Sequence, residues 1–140
     1  MHYELRGEIM EQVIYNARCE EYKFPFGGVS SETEITFKIK VSCEISHDSV
    51  FFIYRADNSD NSNYIYMDKT ESYDDYFTYS CKVSFDLPGL YFYRFEIKNN
   101  DEIKFIGKKD NMAVIEDWLP EWQLTVFDKS FATPEWPREL

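Results

Sequence analysis

This chain of 140 residues is poor in the residues that most chemistry needs: 3 Cys, 2 His, 5 Gly and 5 Pro. Cys19, Cys43 and Cys81 contain no Cys-X-X-Cys pair, which argues against a zinc site, and so sparse and odd a set argues against a disulfide framework. Cys43 and Cys81 share the parity of the apolar residues around them and read as small core side chains. His2 lies at the terminus and His47 in a Ser46-His-Asp-Ser49 turn, so no Ser/His/Asp or Cys/His set is recognisable. A glycine-rich phosphate loop is absent too. A membrane-spanning helix needs about 20 consecutive apolar residues, and no such run exists. Positive charge is short: 15 Lys and Arg against 26 Asp and Glu give a formal charge of −11. Phosphate backbones require clustered cations, so nucleic acid is not expected as a partner, and the balance suits uncharged ligands. The opening MHYELRGEIMEQ is charged throughout and has no apolar signal-peptide core. That places the protein in the cytoplasm if Met1 is the native start, and leaves its localisation open otherwise.

Aromatic side chains are what the chain has in excess, at 19%. With β-branched residues they fill pleated, half-buried surfaces. Glu34 to Ile45 alternates Ile35, Phe37, Ile39, Val41, Cys43 and Ile45 with polar residues, the period of two of a strand with one wet face. Phe77 to Phe85 repeats the pattern. Val50 to Arg55 is apolar on both faces and predicts a central strand, with Tyr64 to Asp68 as a short partner. Asp86-Leu-Pro-Gly89 predicts a turn that launches Leu90 to Lys98, and Asn99-Asn-Asp101 a hairpin into Glu102 to Gly107. Met112 to Ile115, Trp122 to Phe127 and an opening Gln12 to Tyr15 complete the set, and Phe24-Pro-Phe-Gly-Gly28 reads as a rigid loop. No segment has helical periodicity over three turns. About seven to nine short strands with evenly spaced turns predict an all-β fold, an immunoglobulin-like antiparallel β-sandwich. The length suits one such domain and falls well short of the roughly 250 residues of a (β/α)8 barrel.

Candidate sites are few. Asp74-Asp75, Asp57 and Asp60 lie in turn-like stretches and read as solvated surface charge. Asp57-Asn-Ser-Asp-Asn-Ser-Asn63 is rich in oxygen ligands. A calcium loop through Asp57, Ser59, Asn61, Asn63 and Asp68 would lack the glycine and the bidentate glutamate of an EF-hand, so no metal is expected. Sugar binding is the remaining option. A pyranose packs its C–H face on an aromatic ring, and its hydroxyls need amides, carboxylates or arginines close by. Tyr66, Tyr73 and Tyr76, in or beside the polar stretch 57–76, and Trp118 in the loop around Pro120 fit that pattern. Tyr91, Tyr93 and Phe95, on alternate positions of one strand, read as core.

The last residues, Trp122 to Leu140 (WQLTVFDKSFATPEWPREL), read as a closing strand and then an irregular exit with Trp136 between Pro134 and Pro137. This segment resembles the junction between the N-terminal β-sandwich of α-amylase-family glycoside hydrolases (family 13) and their catalytic barrel. There, a WQLTVYD-like strand and an FxTPxW-like linker precede the first barrel strand. Ile14-Tyr-Asn16, Tyr22 through Pro25-Phe-Gly27, Thr33 to Ile39 and Leu87-Pro-Gly-Leu-Tyr-Phe-Tyr-Arg-Phe95 are similar to further segments of the same domains, in the same order. Among these the chain resembles the α-amylase, neopullulanase and cyclomaltodextrinase group, which includes carbohydrate-binding module family 34.

The resemblance implies a β-sandwich at residues 1–127 and a linker at 128–140 to an absent catalytic (β/α)8 barrel. The family's catalytic carboxylates lie in that barrel, so no catalytic residue and no cofactor are expected here. It further implies docking on the barrel of the same polypeptide, with Trp118, Trp122, Phe127, Phe131 and Trp136 as the apolar members. α-Glucans and a second protomer are additional partners in such enzymes. Two alternatives stay open: an independent starch- or maltooligosaccharide-binding module, and a generic immunoglobulin-like interaction domain.

Overall fold

The computed structural model describes residues 4–5, 8–9, 11–73 and 75–129. Within them the elements are β1 (Glu4–Leu5), β2 (Glu8–Ile9), β3 (Val13–Ile14), β4 (Lys23–Phe24), β5 (Val29–Ser30), β6 (Glu34–Ser42), β7 (Ser49–Ala56), β8 (Asn63–Tyr66), β9 (Asp68–Tyr73), β10 (Tyr76–Ser84), β11 (Gly89–Asn99), β12 (Glu102–Lys109), β13 (Met112–Ile115) and β14 (Trp122–Phe127). No helix occurs among the described residues. The period-two segments all became strands, because alternation gives a pleated ribbon one face to bury and one to solvate.

Two sheets face each other. In the smaller, β6 pairs along its length with β10, β10 with β9, and the short β3 and β4 both pair with β6. The larger is centred on β11, which pairs with β7 along one edge, and β7 in turn with β8. The other edge of β11 is shared: residues 89–93 pair with β14 and residues 95–99 with β12. β13 extends the β12 side, and β5 the β14 side in parallel. Ile35, Phe37, Ile39 and Val41 of one sheet and Phe52, Tyr93, Phe95 and Leu124 of the other meet in a single core, with Phe37 stacked on Phe52 at 4.3 Å. Tyr91, Tyr93 and Phe95 are core, as their parity predicts.

Three details differ from the sequence reading. The strand starting at Glu34 stops at Ser42, where Ile45 N–H donates to the Ser42 carbonyl and Glu44 N–H to Ser42 Oγ; this turn leaves Cys43 exposed, while Cys81 is buried. Tyr64 to Asp68 is two strands, because the chain changes sheet at Met67, which is fully buried and donates its N–H to the Val50 carbonyl. The opening strand is limited to Val13–Ile14.

Candidate functional site

With odd-numbered residues of β11 turned into the core, Phe92, Arg94 and Glu96 project from the outer face of the larger sheet. Registers continue this face sideways: Tyr66 of β8 lies opposite Phe51 of β7, Phe51 opposite Glu96, and Glu96 opposite Phe105 of β12. The Tyr66 and Phe51 rings meet edge to face at 5.7 Å. Ile53, beside this row, is almost wholly buried yet stands outside the core between the sheets, so the outer face has an apolar floor of its own.

Charge is arranged on that floor in a chain. Both oxygens of Glu121 accept from arginines, from Arg55 Nη2 at 2.9 Å and Arg94 Nη1 at 3.1 Å, and Arg94 Nη2 donates to the buried Glu96 at 3.0 Å. The guanidinium of Arg55 lies 4.8 Å from the Phe92 ring centre and that of Arg94 5.5 Å from the Phe105 ring centre. Planar groups clamped between carboxylates and rings hold fixed directions, and paired charges are tolerated there because each is hydrogen-bonded.

The loop between β13 and β14 closes over this network. Glu116 N–H donates to the Phe105 carbonyl at 3.0 Å and Lys108 N–H to the Pro120 carbonyl at 2.9 Å, tying both ends of the loop to β12. It can approach so closely because position 107 is glycine: a Cβ there would stand 2.6 Å from Leu119 Cβ. Beneath the loop is a cleft of about 480 Å³, lined among others by Arg55, Arg94, Phe105, Glu121 and Trp118. Trp118 is 97% exposed and its backbone is left-handed, at φ 66°. That conformation is strained for a bulky residue.

The structure therefore brings two of the four sugar-binding candidates to the larger sheet: Tyr66 on its outer face and Trp118 at the cleft. The other two are elsewhere. Tyr73 and Tyr76 are register partners at the β9–β10 turn of the smaller sheet, where the Tyr76 hydroxyl donates to the Glu11 carbonyl at 2.7 Å. Asp57, Ser59 and Asn61 lie in the turn between β7 and β8, with Ser59 N–H on the Ala56 carbonyl and Asn61 N–H on Ser59 Oγ, and Asn63 opens β8 opposite Tyr54. No cluster of three or more metal-ligating His, Cys, Asp or Glu occurs among the described residues.

Of the docking candidates, Trp122 needs correction. It is 5% exposed, stacks on Tyr93 at 5.8 Å and packs edge-on against Tyr15 at 5.0 Å, so it belongs to the core and offers no outward face. Phe131 and Trp136 lie outside the described residues. Phe127 is half-exposed, and its ring rests on Gly28, where a Cβ would lie 2.9 Å away. Phe24, Phe26 and Leu87 are exposed as well. Registers place all four at one end of the sandwich, since Gly89 opposes Val126, Val126 opposes Val29, and Phe24 opposes Thr36 near the start of β6. Described chain leaves at the same end, where Lys129 N–H donates to Ser31 Oγ.

Sequence reasoning passed over Arg55, Arg94, Glu96 and Glu121. The signal was there for three of them: on two aromatic strands, Arg55, Arg94 and Glu96 hold the parity opposite to the core residues. Glu121 carried none, because only the fold carries its loop back to the sheet.

The two-sheet sandwich resembles, as the sequence motifs imply, the N-terminal β-sandwich domains of α-amylase-family glycoside hydrolases. Comparison with known proteins supports this resemblance. Over 124 residues the chain is 29% identical to the amylopullulanase of Thermoanaerobacterium thermosulfurigenes, covering 82% of this chain and 6% of that protein. Its fold matches that of a cyclomaltodextrinase with a TM-score of 0.62 at 13% identity, covering 81% of this chain and 19% of the other. The chain thus spans a small part of each relative's length. No family model matches it. The narrower likeness to carbohydrate-binding module family 34 is carried by the sequence motifs alone.

Proposed function

We propose that the chain is a non-catalytic N-terminal domain of an α-glucan-degrading glycoside hydrolase, and that it docks on the catalytic part of its own polypeptide. The observation that carries the docking role is the apolar end of the sandwich. Phe24, Phe26, Leu87 and Phe127 are exposed together where the described chain departs, and apolar side chains gathered at one place are normally covered by a partner. The amylopullulanase and cyclomaltodextrinase likenesses supply the enzymatic context, and the small shares of those proteins that are covered fit a domain of a larger polypeptide.

Amide hydrogen exchange tests the docking. Residues 24–28 and 86–89 are expected to exchange more slowly in the longer polypeptide than in this chain alone. Identical exchange at both turns would remove docking through this end.

A second reading, weak α-glucan contact by the domain itself, is favoured by one feature. A tryptophan held out in solvent beside a cleft with fixed hydrogen-bonding groups pairs a ring face with polar partners, the combination that a pyranose uses.

A further inference from the structure

We propose that the outer edge of β8 is a contact between two copies of this chain, which pair there antiparallel about Ile65. This edge lies across β7 and β11 from β12 and β14, apart from the loop over the cleft and from the apolar end. Val50 fixes which backbone groups are free. Met67 N–H donates to the Val50 carbonyl at 2.9 Å, and antiparallel ladders alternate hydrogen-bonded and non-bonded pairs. Phe52 stands opposite Ile65 and Tyr54 opposite Asn63, so Ile65 and Asn63 turn their backbone groups to β7. The N–H and C=O of Tyr64 and Tyr66 therefore point outward. Among the described residues no strand pairs with that side.

Sheet edges are ordinarily guarded against such pairing by charge, proline, bulges, shortness or a covering element. The other described edges of the two facing sheets are guarded. β9 carries Asp68, Lys69 and Glu71 and pairs with a register shift between Thr78 and Tyr79. β13 lies against β3, and β3, β4 and β5 are each two residues long. β8, Asn63-Tyr-Ile-Tyr66, has no charge, no proline and no bulge, and Tyr64 and Tyr66 are each 58% exposed. A second copy is the partner that this strand matches. A two-fold axis through Ile65 sets Tyr64 opposite Tyr66 of the second copy and Tyr66 opposite its Tyr64. Both pairs then exchange N–H···O=C bonds in each direction. The tyrosine rings stand in cross-strand pairs on the outer face, and Ile65, packed against the core, meets its own counterpart on the inner face. No like charges are brought together: the nearest charge, Asp68, falls opposite Ser62.

The test is sedimentation equilibrium of this chain, in reducing buffer because Cys43 is exposed. A contact this short buries little area, so a weak dimer is expected, populated at millimolar chain and absent at micromolar. Each copy carries a formal charge of −11, so added salt is expected to strengthen the dimer by screening that repulsion. Tyr64→Pro removes an exposed ring and an outward N–H and leaves the ladder to β7 whole. It is expected to weaken association tenfold or more, with the near-ultraviolet circular dichroism of the buried aromatic cluster unchanged. Trp118→Ala, which removes the exposed ring at the cleft, is expected to leave association as it is. Independently of any variant, amide exchange at Tyr64 and Tyr66 is expected to slow as chain concentration rises, with Ile65 slow throughout. A chain that stays monomeric at millimolar concentration in high salt would overturn the proposal. So would a dimer that Tyr64→Pro leaves at full strength, that Trp118→Ala weakens equally, or in which Tyr64 and Tyr66 exchange as fast as in the monomer. Slowing of these two amides only in the longer polypeptide would replace the second copy with the rest of that polypeptide as the occupant.

Discussion

Tyr15 and Tyr93 face each other across the core, hydroxyl to hydroxyl at 2.6 Å, with both rings nearly inaccessible. Each oxygen depends on the other, so replacing one with phenylalanine strands its partner at a cost of about 1–3 kcal/mol. Tyr93→Phe is therefore expected to destabilise the chain by that amount in urea unfolding, and Tyr15→Phe/Tyr93→Phe by less than the two single changes together. Additive losses would show that the hydroxyls act independently.

Titration of the core follows the same logic. Burial pushes the Cys81 thiol from an ordinary 9.0 up to about 12, with Asp68 a smaller cause, and burial likewise raises Tyr93 and, with help from Tyr93, Tyr15. A raised folded value means that the folded protein holds its proton after the unfolded chain has lost it. The contribution is complete below pH 9.0 and is lost as pH climbs toward 12, at up to about 1.4 kcal/mol per pH unit for the thiol. The tyrosines add to the loss above pH 10.0. Urea midpoints are expected to hold steady from about pH 7 to 8.5 and to fall beyond. Cys81→Ala is expected to fall less steeply between pH 9 and 10, whatever its stability at neutrality; an unchanged slope would exclude the thiol as a source.

Among the elements, β11 decides the most. Its inner face supplies Tyr91, Tyr93, Phe95 and Ile97 to the core, and its outer face supplies Phe92, Arg94 and Glu96 to the cleft network. Because its second edge passes from β14 to β12 partway along, the chain between those two strands runs through β13 and then a loop that returns over the sheet at that point. Gly107 lets this loop lie close. Gly107→Ala is expected to push Leu119 and the Pro120 carbonyl outward, costing about 1–3 kcal/mol by overpacking and weakening maltoheptaose binding alongside, as read by thermal melting and calorimetry. A variant with native stability and affinity would show that the close approach is unimportant. Trp122→Ala, by contrast, is expected to cost about 3–5 kcal/mol, because it removes a core ring that stacks on Tyr93 and packs edge-on against Tyr15. A loss under 1 kcal/mol would return Trp122 to the surface role that the sequence suggested.

At the scale of the whole molecule, the two-sheet architecture was legible because its long strands alternate cleanly. Glu34 to Ser42, Tyr76 to Ser84 and Trp122 to Phe127 each show one buried and one wet face, so the period of two was enough. The change of sheet at Met67 was not legible, since a one-residue crossover leaves no turn signal and the run Tyr64 to Asp68 reads as one strand. The site was half legible. Trp118 and Tyr66 stood out as aromatics in polar surroundings, but so did Tyr73 and Tyr76, and nothing in their spacing told the two sheets apart. The arginine–glutamate network needed tertiary structure, because Arg55 and Glu121 are 66 positions apart in sequence and meet only through the fold.

We propose a domain without catalysis of its own, carried by an enzyme that cleaves α-glucans. The most direct measurement is release of reducing ends from amylose and from pullulan by the polypeptide that bears these residues, set against this chain alone at the same molar concentration. The longer polypeptide is expected to hydrolyse at least one of the two, and this chain neither. Hydrolysis by this chain, or a longer polypeptide inert toward every α-glucan supplied, would contradict the account.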